Sequence, residues 1–176
     1  MEIRYLGYFG DIDASCNWIL RHLRDAAADG ASEIVLALCS PGGNTNLGLA
    51  IHYGIVAMGL SLTVHNVANV DSAAVPIFLG GTKRLASPHA TFLIHGPKME
   101  LNGNYGRDAM LEKASILRRD EQALLTLLTN RSHATKRQID AWLRSGRMLT
   151  AKEALAYGLI HEIAPFAPPA GSLKII

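Results

Sequence analysis

Residues 69–81 read NVDSAAVPIFLGG, and the interpretation of the whole chain turns on this stretch. Pro76 would break the interior of a helix, but the N–H groups of a first helical turn have no intrahelical partner. A helix beginning at or just after Ser72 therefore tolerates it. Ser72 then stands on a strand-to-helix turn, where free N–H groups and the helix dipole favour developing negative charge. Residues 40–43, SPGG, lie upstream, and ATFLIHGP at 90–97 places His95 at the end of a strand-like run. Acyl transfer by a serine needs a base to activate the hydroxyl and fixed N–H donors to hold the oxyanion, and these three segments contain all of those parts.

The composition bounds the reading. A chain of 176 residues is long enough for one domain with a buried core, and 49% hydrophobic against 18% charged residues favours interior and subunit contacts. The net charge is only +2, and the basic residues are dispersed apart from pairs such as Arg118-Arg119 and Lys136-Arg137, so no nucleic-acid stripe is present. Cys16 and Cys39 are too few for a disulfide framework and lack metal or redox spacing; both read as small buried hydrophobes, and no cofactor or metal is implied. The opening MEIRYLGYFGDI has no basic segment followed by an apolar one, and no later apolar run reaches about 18 residues. The expectation is a soluble, cytoplasmic protein with no membrane contact.

Strands and helices alternate along the chain. Residues 3–9 read as a strand, 14–29 as a helix with apolar Cys16, Ile19, Leu20, Leu23 and Ala27, and 33–39 (EIVLALC) as a strand covered on both faces. A helix at 47–58 and a strand at 61–67 repeat the unit. After the Ser72 helix come strands at 82–85 and 90–95. Gly96-Pro97 then forces an extended exit, because a residue before proline avoids the helical region. A long helix is expected over 105–129. Thr135 with Gln138, and Thr150 with Glu153, are capping boxes for two short helices. A last strand is expected at 159–163, and the proline- and glycine-bearing tail 164–176 reads as irregular. No repeat, linker or composition shift argues for a second domain.

Taken singly, each candidate has an ordinary explanation. A serine starting a helix is most often an N-cap, a strand-terminal histidine is usually structural, and SPGG is a common turn. Their joint order is far more specific. Together with GLAIHYGIVAMG, NVANVDSAAVPIFLGGTKR, SPHATFLIHGP and LTAKEALAYGLIHEI, it resembles the proteolytic subunit of Clp protease over nearly the whole chain.

That resemblance implies an α/β fold of the ClpP/crotonase type, a spiral of ββα units with a protruding handle helix at 105–129. It implies Ser72 as nucleophile, His95 as general base and the backbone N–H groups of Gly43 and Ala73 as oxyanion donors. The substrate would be a peptide or unfolded polypeptide, and the assembly a homo-oligomeric ring. The chain departs from the family in two places. Where the family carries its third triad member, in a stretch like RDRFLSA, this chain reads RSGRMLTA, with Gly146 at the aspartate position. The third member is then Asp140 on the preceding helix, or it is absent, and Lys113 on the long helix is an alternative base. The chain also begins almost at its first strand, without the axial loop and helix used to engage a ring, which disfavours a AAA+ unfoldase as partner. Three functions stay open: a serine endopeptidase, a catalytically inactive ClpP-like subunit, and a crotonase-like acyl-CoA enzyme.

Overall fold

The computed structural model describes residues 2–176. Strand β1 (Ile3–Phe9) leads through a short 3₁₀ turn to α1 (Asn17–Ala28), and β2 (Glu33–Ser40) leads to α2 (Thr45–Met58). Next come β3 (Leu62–Asp71), α3 (Ala74–Leu79), β4 (Lys83–Ala86), β5 (Thr91–Ile94) and the 25-residue α4 (Arg107–Arg131). The chain ends with α5 (Lys136–Ser145), β6 (Arg147–Thr150), α6 (Ala151–Ala156), β7 (Glu162–Ile163) and β8 (Leu173–Ile175).

The main path of the sheet runs β6-β5-β3-β2-β1-β8, with β4 and β7 branching from β3. The branch arises because β3 is long. Its first half pairs with β4, from Thr63 opposite Lys83 to Asn66 opposite Ala86, and its last three residues pair with β5, from Asn69 opposite Thr91 to Asp71 opposite Leu93. The strand expected to end at residue 67 therefore continues to Asp71, so the residue before Ser72 is held by the strand that leads into His95. Periodicity did not reveal this, because Asn66, Asn69 and Asp71 are polar; each is retained in the sheet by its own hydrogen bonds.

Burial explains the remaining elements. Helix α1 buries Ile19, Leu23 and Ala26 at helical spacing, while α3 is buried along its whole length, wedged between the sheet, α2 and α4. Pro76 is the third residue of α3 and so falls within its first turn, as expected. Phe78 packs edge-to-face on Phe92 with centroids 5.0 Å apart, coupling α3 to β5. Both predicted capping boxes form, at Thr135 and Thr150. Helix α4 is divided: Leu124, Leu125, Leu127 and Leu128 enter the core, while Met110 and Leu111 in its first turns are exposed. It is the protruding handle.

Further expectations need correction. Residues 147–150 form β6, antiparallel to β5, where no strand was expected; the signal was only four residues long and ran into the Thr150 capping box. The tail is not wholly irregular, because Leu173–Ile175 pairs in parallel with Tyr5, Leu6 and Gly7 and covers the edge of β1. Leu159 and Ile160 lie outside the last strand. Their N–H groups return to the Ala154 carbonyl while their side chains are buried, so β7 is only Glu162–Ile163. Cys16 is buried as expected, whereas Cys39 is half-buried and donates through Sγ to Asn69 Oδ1 at 3.2 Å. Among the described residues, no helix is long and apolar enough to cross a membrane.

Two buried histidines make stability depend on pH. His52 donates from Nδ1 to the Pro76 carbonyl at 2.9 Å, and His65 lies within reach of Ser87 Oγ; both are 3% exposed. Burial pushes both pKa values down, against smaller opposing effects from the carbonyls of Pro76 and Ala164. The unfolded chain takes up protons as pH falls through the ordinary histidine value of about 6.5, and the folded chain resists, so folding weakens in that direction. The midpoint of urea unfolding should fall between pH 7.5 and 5.5, with a shallower dependence in His65→Gln; equal slopes in the two proteins would contradict this assignment.

Candidate active site

Ser72 occupies the turn between β3 and α3 with φ at +53°, the one non-glycine residue with positive φ among the described residues. A side chain held in this region signals local strain that the surroundings must enforce. Both backbone groups of Leu93 on β5 enforce it here: the Leu93 carbonyl accepts from the Ser72 N–H at 2.7 Å, and the Leu93 N–H donates to Asp71 Oδ1 at 3.0 Å. Asn69 Nδ2 in turn donates to Asp71 Oδ2 at 2.8 Å and to the Ser40 carbonyl at 3.1 Å, which ties the elbow to the SPGG loop. Asp71 and Asn69 are positioning residues that sequence reasoning missed, since a polar strand end gave no sign of this network.

The glycine loop approaches the elbow closely. A Cβ on Gly42 would lie 2.6 Å from Ser72 Cβ and 3.1 Å from the Ala73 nitrogen, and one on Gly43 would collide with the Ile12 carbonyl. The loop is pinned by bonds from the Ile12 N–H to the Gly42 carbonyl and from the Asn44 N–H to the Ile12 carbonyl. These bonds bypass the Gly43 N–H. Neither Gly43 nor Ala73 has a hydrogen-bond partner for its amide among the described residues, which leaves two free donors beside the serine.

His95 follows β5 directly. Its Nδ1 lies 2.7 Å from the Gly96 carbonyl, and because a carbonyl can only accept, Nδ1 carries the proton and Nε2 is left with its lone pair. The Gly96 N–H is held by the Leu143 carbonyl at 2.7 Å, so α5 anchors the residue whose carbonyl orients the ring. Among the described residues Ser72 and His95 make no hydrogen bond to each other. The two side chains instead face one narrow cavity of about 10 Å³, closed by Val75, Pro76, Ile94 and by Leu124, Leu127 and Leu128 of the handle. The handle leucines leave room for little more than one water molecule there.

Strand β6 explains the position of Gly146. Ile94 pairs with Arg147, so the register brings Gly146 opposite His95, where a Cβ would stand 4.0 Å from His95 Cβ. With φ at 78° and ψ at 138°, its backbone lies in a region that only glycine occupies without strain. Asp140 pairs with Arg144 at 3.1 Å and makes no hydrogen bond to His95. Lys113 lies over the Tyr105 ring at 4.8 Å. Glu121, not anticipated from the sequence, is the one carboxylate lining the cavity of about 460 Å³ that His95 shares with Lys98, Arg144 and Gly146.

A serine elbow at the end of a branching parallel strand, with α2 and α3 behind it and a handle helix above, is the architecture of the ClpP/crotonase class. Comparison with known proteins makes the assignment narrower. The Clp protease family model matches residues 12–166. The chain is 29% identical over 158 residues to the ATP-dependent Clp protease proteolytic subunit 1 of Thermobifida fusca, covering 88% of this chain and 70% of that one. It is 30% identical over 166 residues to the corresponding subunit 1 of Tropheryma whipplei, covering 92% and 79%. A mutant ClpP1 from Listeria monocytogenes has the same fold, with a TM-score of 0.80, 23% identity and coverage of 93% and 92%. The chain belongs to the Clp protease family.

Proposed function

We propose that this chain is a ClpP-like serine endopeptidase working through a Ser72–His95 dyad oriented by a backbone carbonyl. The observation that carries the reading is the pair of unpartnered amides, Gly43 and Ala73, beside a serine held at positive φ. In the reaction, Ser72 Oγ attacks the scissile carbonyl while His95 Nε2 takes its proton. The two amides hold the oxyanion, and the amine leaves with the proton returned by His95. Water, deprotonated by the same nitrogen, then releases the acyl group from Ser72. The Gly96 carbonyl fixes the tautomer in place of a carboxylate, and the leucines of α4 offer an apolar side chain a pocket once they move apart. Peptides or unfolded polypeptides are the substrates, and a homo-oligomeric ring is the working form, with the exposed Met110 and Leu111 of the handle available to a second copy.

A second reading is favoured by specific observations: the missing Ser72–His95 bond, the narrow cavity and Gly146 also suit a silent subunit. Fluorophosphonate labelling of the assembled protein at neutral pH separates the two. Labelling at Ser72 that disappears in His95→Ala supports the peptidase, and an unlabelled Ser72 supports the silent subunit.

The dyad makes a second prediction. If the Gly96 carbonyl already orients His95, Gly146→Asp brings no gain in peptide hydrolysis and lowers thermal stability, because aspartate is strained at this φ and ψ. Loss of an orienting acid can cost about 10⁴-fold in kcat. A rise of about 100-fold or more in Gly146→Asp would therefore mean that the ring is unsupported in the native chain.

A further inference from the structure

Beside β4, a surface cavity of about 590 Å³ is lined by Arg84, Arg131, His133 and His161 and by no carboxylate. Arg84 is 6% exposed, and its partners are dipoles only: Nε donates to the Leu159 carbonyl at 2.7 Å, and Nη2 to the carbonyls of Gly158 and Arg131 at 3.2 and 3.4 Å. Nη1 has no protein partner. Since no buried side-chain nitrogen among the described residues is left unsatisfied, Nη1 keeps some access to solvent, and Arg84 itself lines this cavity. A buried guanidinium without a counter-ion is unusual, because taking the charge out of water is costly. Burial and the neighbouring Arg131 together lower its pKa to about 10, so Arg84 still carries its charge at neutral pH.

The other groups add donors. His161 Nδ1 accepts from the backbone N–H of Arg84 at 3.2 Å, so the neutral ring must carry its proton on Nε2. The His133 ring lies against Gly158, where a Cβ would be 2.7 Å from the imidazole, so this glycine makes room for it. Glu162, the acid next in sequence, does not line the cavity and pairs with Lys83 at 3.6 Å. The carbonyls at the C-terminus of α4 offset part of the positive potential but supply only partial charge, not a full counter-ion.

We propose that this cavity is a binding site for a phosphate-type oxyanion, held by Arg84 Nη1, the Arg131 guanidinium and the His161 ring. The anion supplies the counter-charge that Arg84 lacks and ties the end of α4 to β4 and to the turn after α6. Arg84 is the anchor because the three carbonyls prevent it from swinging away. Arg131 closes on the ligand from the handle helix.

The test is calorimetric titration of the full chain with inorganic phosphate, pyrophosphate and glycerol phosphate at constant ionic strength. The same titrations are made on Arg131→Gln and on His161→Asp, which puts an internal carboxylate beside Arg84. Saturable binding at one ion per chain is expected with Kd below about 1 mM, weakened at least about 10-fold in Arg131→Gln and lost in His161→Asp. His161→Asp should also melt at higher temperature than the ion-free parent, an outcome that does not depend on ligand choice. Tighter binding of glycerol phosphate than of phosphate would identify an esterified ligand, and the reverse order the free ion; both support the site. No saturation by about 10 mM of any probe, or equal affinity in all three proteins, overturns it. Fluorophosphonate labelling of Ser72 should be the same in both variants, which keeps this outcome separate from that of the peptidase reading.

Discussion

Ser72→Ala should lower peptide hydrolysis by about 10⁴-fold or more while leaving the unfolding midpoint unchanged or slightly raised. The loss follows because nothing else beside the two free amides can act as nucleophile. The preserved stability follows from the structure of the turn. Ser72 Oγ makes no hydrogen bond among the described residues, so its removal breaks none, and alanine meets the same φ of +53° that serine already endures. The strain is held by the bond from the residue 72 N–H to the Leu93 carbonyl and by that from the Leu93 N–H to Asp71 Oδ1, both of which alanine keeps. Hydrolysis of a fluorogenic peptide and urea unfolding of the same preparations check both halves. Residual hydrolysis within about 10-fold of wild type would remove Ser72 from the chemistry.

Gly42→Ala should be nearly as damaging to activity, through geometry rather than chemistry. Its Cβ would lie 2.6 Å from Ser72 Cβ and 2.7 Å from the Asp71 carbonyl, at a φ of +97°. Asp71 is held in β3 and Ser72 by Leu93, so the 40–43 loop must give way. Movement of that loop withdraws the Gly43 amide from the elbow, and loss of one oxyanion donor costs about 10²- to 10³-fold in kcat. The backbone clash should also lower stability by about 1–3 kcal/mol. Gly30→Ala is the control. Its φ is likewise positive at 89°, but a Cβ there meets nothing within 4 Å, so only about 1 kcal/mol of strain and no loss of activity are expected. Similar kinetics for the two variants would show that the fit between loop and elbow does not matter.

These two positions show what each level of description contributes. Residues with strong local signals were legible: the apolar face of α1, the two capping boxes, Pro76 in a first helical turn and the serine at the head of α3. Each depends on interactions within a few residues, which the linear order preserves. The weak local signals were not legible. Strand β6 has four residues, β8 has three, and the end of β3 is polar; all three exist because a partner strand was already in place to receive them. Family likeness could mark Gly146 as the position of a missing acid, but only the β5–β6 register shows it facing His95, with a backbone shaped for glycine.

The sequence by itself therefore determined the longer elements, because turn chemistry and hydrophobic periodicity are local, and its motifs, through their resemblance to a known family, marked Ser72 and His95 as a candidate pair. Tertiary structure decided how those candidates are held. The Leu93 backbone sets the elbow, the Gly42 contact sets the oxyanion donors, the Gly96 carbonyl sets the histidine tautomer, and the cluster around Arg84 gathers residues 84, 131, 133 and 161. Each of these joins segments distant along the chain, and such contacts exist only once the sheet has formed and closed the distance between them.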